Sequence, residues 1–220
     1  MAVFAYVPFA CFDPVTFNEL LSWSRDLYAY YRPVARLYSP SWTPSEVKRH
    51  LSNDRKEPFI LYHRRILPGQ LHFMSTDSVL YICGHGRPGA AEIVNESGTE
   101  RIGPDELLRR MKQDGIPIER VRTIKVWACY SGESLTDSAQ YLPSFAERFF
   151  HAWLAMRVQG GHGSRIRVCG YKKPVLKAAY GARRLLGDGP LGNKAAAFYD
   201  ESGSLVVERA SAFRVEYIST

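Results

Sequence analysis

Four cysteines in 220 residues, Cys11, Cys83, Cys129 and Cys169, are too few and too unevenly spaced for a disulfide framework, and no C-x-x-C pair occurs. This excludes a small secreted scaffold stapled by bridges and points to reduced thiols in a cytosol. No apolar run reaches the ~18 residues of a membrane-spanning helix, so none is expected. The apolar opening, residues 1–12, lacks the basic start and small-residue cleavage site of a secretory signal, and Asp13-Pro14 interrupts it. It reads as a first strand or a docking segment. Internal repeats and low-complexity tracts are also missing. Acidic residues are in deficit: 22 Asp and Glu face 29 Lys and Arg, a formal charge of +7. That balance favours encounters with anions, among them phosphates, nucleic acid, acidic peptides and anionic lipid, without choosing one.

What is present is an ordinary globular composition, 45% hydrophobic and 23% charged, on a chain long enough for one domain with a full core. Phe17, Leu20, Leu21, Ser24, Leu27, Tyr28 and Tyr31 recur at helical spacing behind Asp13 and Pro14, which predicts a helix over 14–31. Thr43-Pro44-Ser45-Glu46 opens a second, short helix with a capping box. From residue 58 the pattern changes to β-like runs at 59–62, 70–74 and 78–83, where the sheet is expected to begin. A helix over 104–113, a strand over 123–128, a helix over 143–158 and a strand over 165–169 come next. This alternation indicates a mostly parallel sheet with helices on both faces. Runs at 195–199, 205–208 and 213–218, with Asp200-Glu201-Ser202-Gly203 as a turn, predict a terminal β-hairpin or flap. Residues 1–57 are read as an N-terminal helical segment packing on a core of residues 58–220.

Two buried-looking strands end in reactive residues: Tyr81-Ile82-Cys83-Gly84-His85-Gly86 and Val126-Trp127-Ala128-Cys129-Tyr130-Ser131-Gly132. Ligand sites of parallel sheets form at the carboxyl ends of strands, so His85 and Cys129 would face one crevice. A thiol is mostly protonated at neutral pH, and a histidine that takes its proton or pairs with the thiolate makes it a nucleophile. The adjacent glycines would let the backbone approach a substrate. The amides of Gly86 and Cys129 are then candidates to hold an oxyanion, worth roughly 3 kcal/mol per donor.

An apolar strand ending in His-Gly, succeeded about one strand–helix–strand unit later by one ending in Ala-Cys, resembles the caspase-like cysteine peptidases. The likeness covers residues 78–132 and extends loosely to Val168-Cys169-Gly170-Tyr171. It is nearest in look to the self-processing protease domains of bacterial toxins and effectors, since the Gln-Ala-Cys-x-Gly pentapeptide of caspases is missing. The resemblance implies a caspase-like three-layer α/β sandwich with a mostly parallel central sheet, N-terminal helices and a C-terminal flap. It implies peptide-bond hydrolysis by His85 and Cys129, with no metal or cofactor in the chemistry, a protein substrate and no nucleic-acid partner. It further implies activation by inositol hexakisphosphate, for which Lys172, Lys173, Lys177, Arg183, Arg184 and Lys194 are the candidates, and delivery into a host cytosol by a secretion system.

Each residue also has a plainer reading. Cys83 and Cys169 precede glycines in apolar strands and are expected to be core, and Cys11 has no evident partner. A zinc site from Cys83, His85, Cys129 and Cys169 lacks the usual paired spacing. His162 belongs to a loop after a helix, and a papain-like pairing of Cys129 with His151 or His162 would need the cysteine to open a helix. The basic cluster can equally be a solvated charged face. Two other function classes compete. Gly84, Gly86 and Gly89 satisfy G-x-G-x-x-G with Asp105 or Glu106 about twenty residues on, a dinucleotide fingerprint, although residues 90–98 read as a strand into a hairpin rather than a helix. A non-catalytic adaptor of the same fold is the third. Among acids that could orient His85, Asp13 and Asp26 are candidates that spacing does not separate.

Overall fold

The computed structural model describes residues 3–11, 14–21, 35–39, 42–50, 59–62, 74–137, 140–176 and 195–220. A seven-stranded sheet forms the centre. Its strands are β1 (Val3–Tyr6), β2 (Ala35–Tyr38), β3 (Phe59–Tyr62), β4 (Val79–Cys83), β7 (Thr123–Trp127), β10 (Arg167–Tyr171) and β14 (Arg214–Ile218), in the order β14-β10-β7-β4-β1-β2-β3. Six run parallel, and β14 closes one edge antiparallel to β10. The described helices are α1 (residues 14–21), α2 (Pro44–His50), α3 (Pro104–Gln113) and α4 (Phe145–Gln159). The whole is an α/β arrangement with a mostly parallel sheet, compatible with a three-layer sandwich.

The sequence dictates this centre locally. β4, Val-Leu-Tyr-Ile-Cys, is apolar throughout and buried at every position, as a strand covered on both faces must be. α4 sets Phe145, Phe149 and Trp153 one turn apart, all buried and stacked along one stripe that packs toward β10 and β14. Truncating any of the three to alanine should cost about 3–5 kcal/mol. Ser144 caps this helix by accepting from the Glu147 amide at 3.2 Å. The capping box of α2 is formed as expected: Glu46 Oε2 accepts from the Thr43 amide at 2.8 Å, and the Glu46 amide donates back to Thr43 Oγ1 at 3.2 Å.

The chain lays β1, β2 and β3 outward to one side, returns to place β4 against the other side of β1, and continues through β7 to β10. The order therefore reverses between β1 and β4, where crevices open at strand carboxyl ends. β4 and β7 are adjacent and in register, Cys83 opposite Trp127.

Three expectations are corrected. The sheet begins at Val3, not at residue 58, and β1 lies near its middle between β2 and β4. Within 1–57, expected as a helical segment packing on the core, Val3–Tyr6 and Ala35–Tyr38 are thus strands of the central sheet. The run at 213–218 is no part of the flap: β14 joins the central sheet, while the flap is a separate sheet of β11 (Val175–Leu176), β12 (Ala195–Tyr199) and β13 (Leu205–Arg209). The strand into a hairpin expected at 90–98 is formed, as β5 (Ile93–Val94) paired with β6 (Arg101–Ile102), and a second small pair, β8 (Leu135–Asp137) with β9 (Gln140–Leu142), adds to what the sequence predicts. The predicted strand at 70–74 and the second half of the first helix lie almost wholly outside the described residues. No helix among the described residues is long and apolar enough to cross a membrane.

Candidate active site

His85 and Cys129 each stand two residues past the end of their strand, on the neighbouring loops that leave β4 and β7. The first loop is fixed by backbone pairing. The Gly84 amide continues the ladder to Trp127 O at 3.3 Å, and His85 exchanges both its backbone bonds with Val94, at 2.8 and 2.9 Å. The second is riveted to β10. Ser131, buried, donates its hydroxyl to Val126 O at 2.9 Å and accepts from the Tyr171 amide at 3.2 Å, while the Gly132 amide donates to Tyr171 O at 2.9 Å.

The glycines beside the two residues divide their roles. A Cβ on Gly86 would come within 2.2 Å of the Cys129 carbonyl oxygen, so the loops meet at these two residues and only glycine fits. Gly84 packs on the Phe9 ring and Gly132 on the backbone of Gly170, so these two serve packing and not, as expected from the sequence, the approach of a substrate.

Some amides around this junction are spoken for and others are not. Those of Gly84, His85, Tyr130, Ser131 and Gly132 each donate to a backbone carbonyl. Those of Gly86 and Cys129 donate to no carbonyl among the described residues. Tyr130, directly after Cys129, has φ 56° and is the one non-glycine residue among the described ones in the left-handed region. Such strain costs on the order of 1–3 kcal/mol and collects at functional sites.

Helix α1 reaches both residues from one face. Thr16 Oγ1 lies 3.3 Å from His85 Nε2. Glu19, one turn further on, lies close enough for its charge to act on Cys129. Burial pushes the Cys129 thiol above its ordinary range; backbone hydrogen bonds at Val175 and at Cys129 itself pull it back in part, and the negative charge of Glu19 raises it. Cys129 Sγ also lies 3.5 Å from the carbonyl oxygen of Val175 on β11, a contact that only the protonated thiol makes as donor. The thiol is thus in contact with the flap's first strand.

The remaining candidates fall elsewhere. Cys83 and Cys169 are buried within β4 and β10, and Cys11 is exposed. Of the basic cluster, Lys172 and Lys173 form the turn between β10 and β11, where Lys173 Nζ stands 4.7 Å over the Phe198 ring and its carbonyl accepts from the Tyr130 amide at 3.4 Å. Lys177, Arg183, Arg184 and Lys194 lie outside the described residues, as do Asp13 and Asp26. No helix opens in residues 84–103, all of them described: Gly89 sits in a turn at φ 65° and β5 comes next, so the helix that a dinucleotide fingerprint needs is lacking. Glu106 is occupied by Arg109 and Arg110. Thr16, Glu19 and Val175 carried no sequence signal, because each reaches the site from a distant stretch of chain.

Comparison with known proteins finds no matching family model, no matching curated protein and no matching solved structure.

Proposed function

We propose that this chain is a cysteine endopeptidase of the caspase-like kind, with Cys129 as nucleophile and His85 as its proton-transfer partner. The observation that carries this reading is the junction of the two loops. There, the amides of Gly86 and Cys129, which donate to no carbonyl among the described residues, stand on touching loops that also carry a partly buried thiol and a histidine. An oxyanion hole needs donors fixed before the reaction, and the ladders on either side fix these two.

In the proposed cycle His85 takes the thiol proton and the Cys129 sulfur attacks the peptide carbonyl carbon. The resulting oxyanion accepts from the two amides. Collapse breaks the C–N bond, His85 returns the proton to the leaving amine, and water then hydrolyses the thioester. Thr16, at Nε2, would set the ring so that Nδ1 handles the proton, a positioning role. The resting thiol must first lose its contact with Val175. A polyphosphate such as inositol hexakisphosphate on the Lys172–Lys173 turn would act on the same backbone, since that turn accepts from Tyr130.

The test is terminal-specific proteomics of a cell lysate incubated with the protein or with Cys129→Ala, each with and without inositol hexakisphosphate. New protein termini that require intact Cys129 support the peptidase. Their absence in both conditions counts against it and favours the adaptor.

A further inference from the structure

Next to Gly86 the chain walls off a cavity of about 330 Å³, lined among others by Arg87, Glu92, Val94 and Arg101. Its frame is stiff. The turn of the β5–β6 hairpin is tied by Asn95, whose side chain accepts from the Glu100 amide at 3.0 Å and donates to Thr99 at 3.1 Å. Glu100 is in turn anchored by Arg110 and by the Ala10 amide.

The charges of this corner are unevenly matched. Glu100, next to Arg101 in the chain, pairs with Arg110, and Glu106 on α3 pairs with Arg109 and Arg110. Arg87 and Arg101, both exposed, form no ion pair among the described residues, and Glu92 is the one carboxylate on the cavity wall. Two unpaired guanidiniums against one carboxylate leave a site of net positive charge that begins at a proposed oxyanion donor. Guanidinium groups recognise carboxylates by paired, charge-assisted hydrogen bonds. His85, which in the proposed cycle protonates the leaving amine, stands two residues before Arg87 on the loop that lines the cavity.

We infer that Arg87 and Arg101 form a specificity pocket for an acidic side chain of the substrate, on the leaving-amine side of the bond to be cut. This rests on the peptidase reading and deepens it.

The probe is a fluorescein-labelled hexapeptide, Ala-Ala-Glu-Glu-Ala-Ala, and its Gln-Gln counterpart. Their binding to the full chain carrying Cys129→Ala is tracked by anisotropy at low salt. The Glu peptide should bind about tenfold more tightly. That advantage should vanish when Arg87→Ala and Arg101→Ala are added, two changes at exposed positions. Glu92→Gln should enlarge it about threefold. Equal affinity for the two peptides, or a preference that survives both arginine substitutions, overturns the assignment. Cleavage by the intact protein separates the two ideas. Cys129-dependent cleavage indifferent to Glu overturns the pocket alone. A Glu preference in binding without Cys129-dependent cleavage supports the pocket and overturns the peptidase.

Discussion

The two ends of strand β7 are built on opposite principles. Where the chain enters it, a buried cation is fully answered. The guanidinium of Arg157, only 4% exposed, donates to the carbonyls of Ile118, Glu119, Val121 and Gly163, and the Trp153 indole donates to Ile118 as well. Where the chain leaves, Cys129 has an amide with no carbonyl partner among the described residues, Tyr130 is held left-handed, and a thiol is buried above its ordinary pKa. One strand thus carries a stabilising end and the end proposed to react. The difference teaches that local strain and unmet donors are tolerated where the neighbouring ladders over-determine the backbone.

Substitutions can pull the two ends apart. The largest effect is expected at the exit: His85→Ala and Gly86→Ala should each lower kcat by on the order of 10²–10³. Steady-state kinetics on a peptide found by the proteomic screen would measure this. Gly86→Ala acts because its methyl would push away the Cys129 carbonyl. At the entrance, Arg157→Ala should leave kcat per folded molecule unchanged but strand several buried carbonyls. The expected cost is about 3 kcal/mol, a fall in Tm on the order of 10 °C by calorimetry. Tyr130→Gly should relieve the left-handed residue and raise stability by about 1 kcal/mol in denaturant titration while lowering the rate, so that strain and activity trade at one position.

The smallest expected effect is on pH dependence. Because the folded thiol is pushed up, its contribution to stability is full below the unfolded thiol's range and is lost as pH rises through the folded value. Alkylation of resting Cys129 by iodoacetamide should accordingly accelerate at higher pH than that of a cysteine in an unstructured peptide. An equal or lower midpoint would mean that the thiol is not held protonated at rest.

Much of this was legible in the sequence because it is local. The helix 104–113 comes from Pro104 and the spacing of Leu107, Leu108 and Met111. The hairpin at 200–203 comes from Asp200, which accepts from the Ser202 and Ser204 amides, and from Gly203 at φ 78°. The two strand ends could be seen because buried strands are apolar and reactive residues interrupt them. What escaped is non-local. Ala35–Tyr38 is too short to announce a strand without β1 beside it, and 213–218 reads the same whether it joins a flap or a central sheet. Thr16 meets His85 across 69 positions, and nothing in either residue's neighbours encodes that meeting. The glycine after Cys129 reads as room for a substrate, but Ser131 and Gly132 both face β10.

The most direct measurement is intact-mass and peptide-mapping mass spectrometry after treatment with a peptidyl acyloxymethyl ketone, an electrophile that requires an activated thiol seated at an oxyanion hole. A Cys129 nucleophile served by His85 predicts one adduct, on the partly buried Cys129 and not on the exposed Cys11, that disappears in His85→Ala. Labelling that tracks exposure and falls on Cys11, or a Cys129 adduct indifferent to His85, would contradict it.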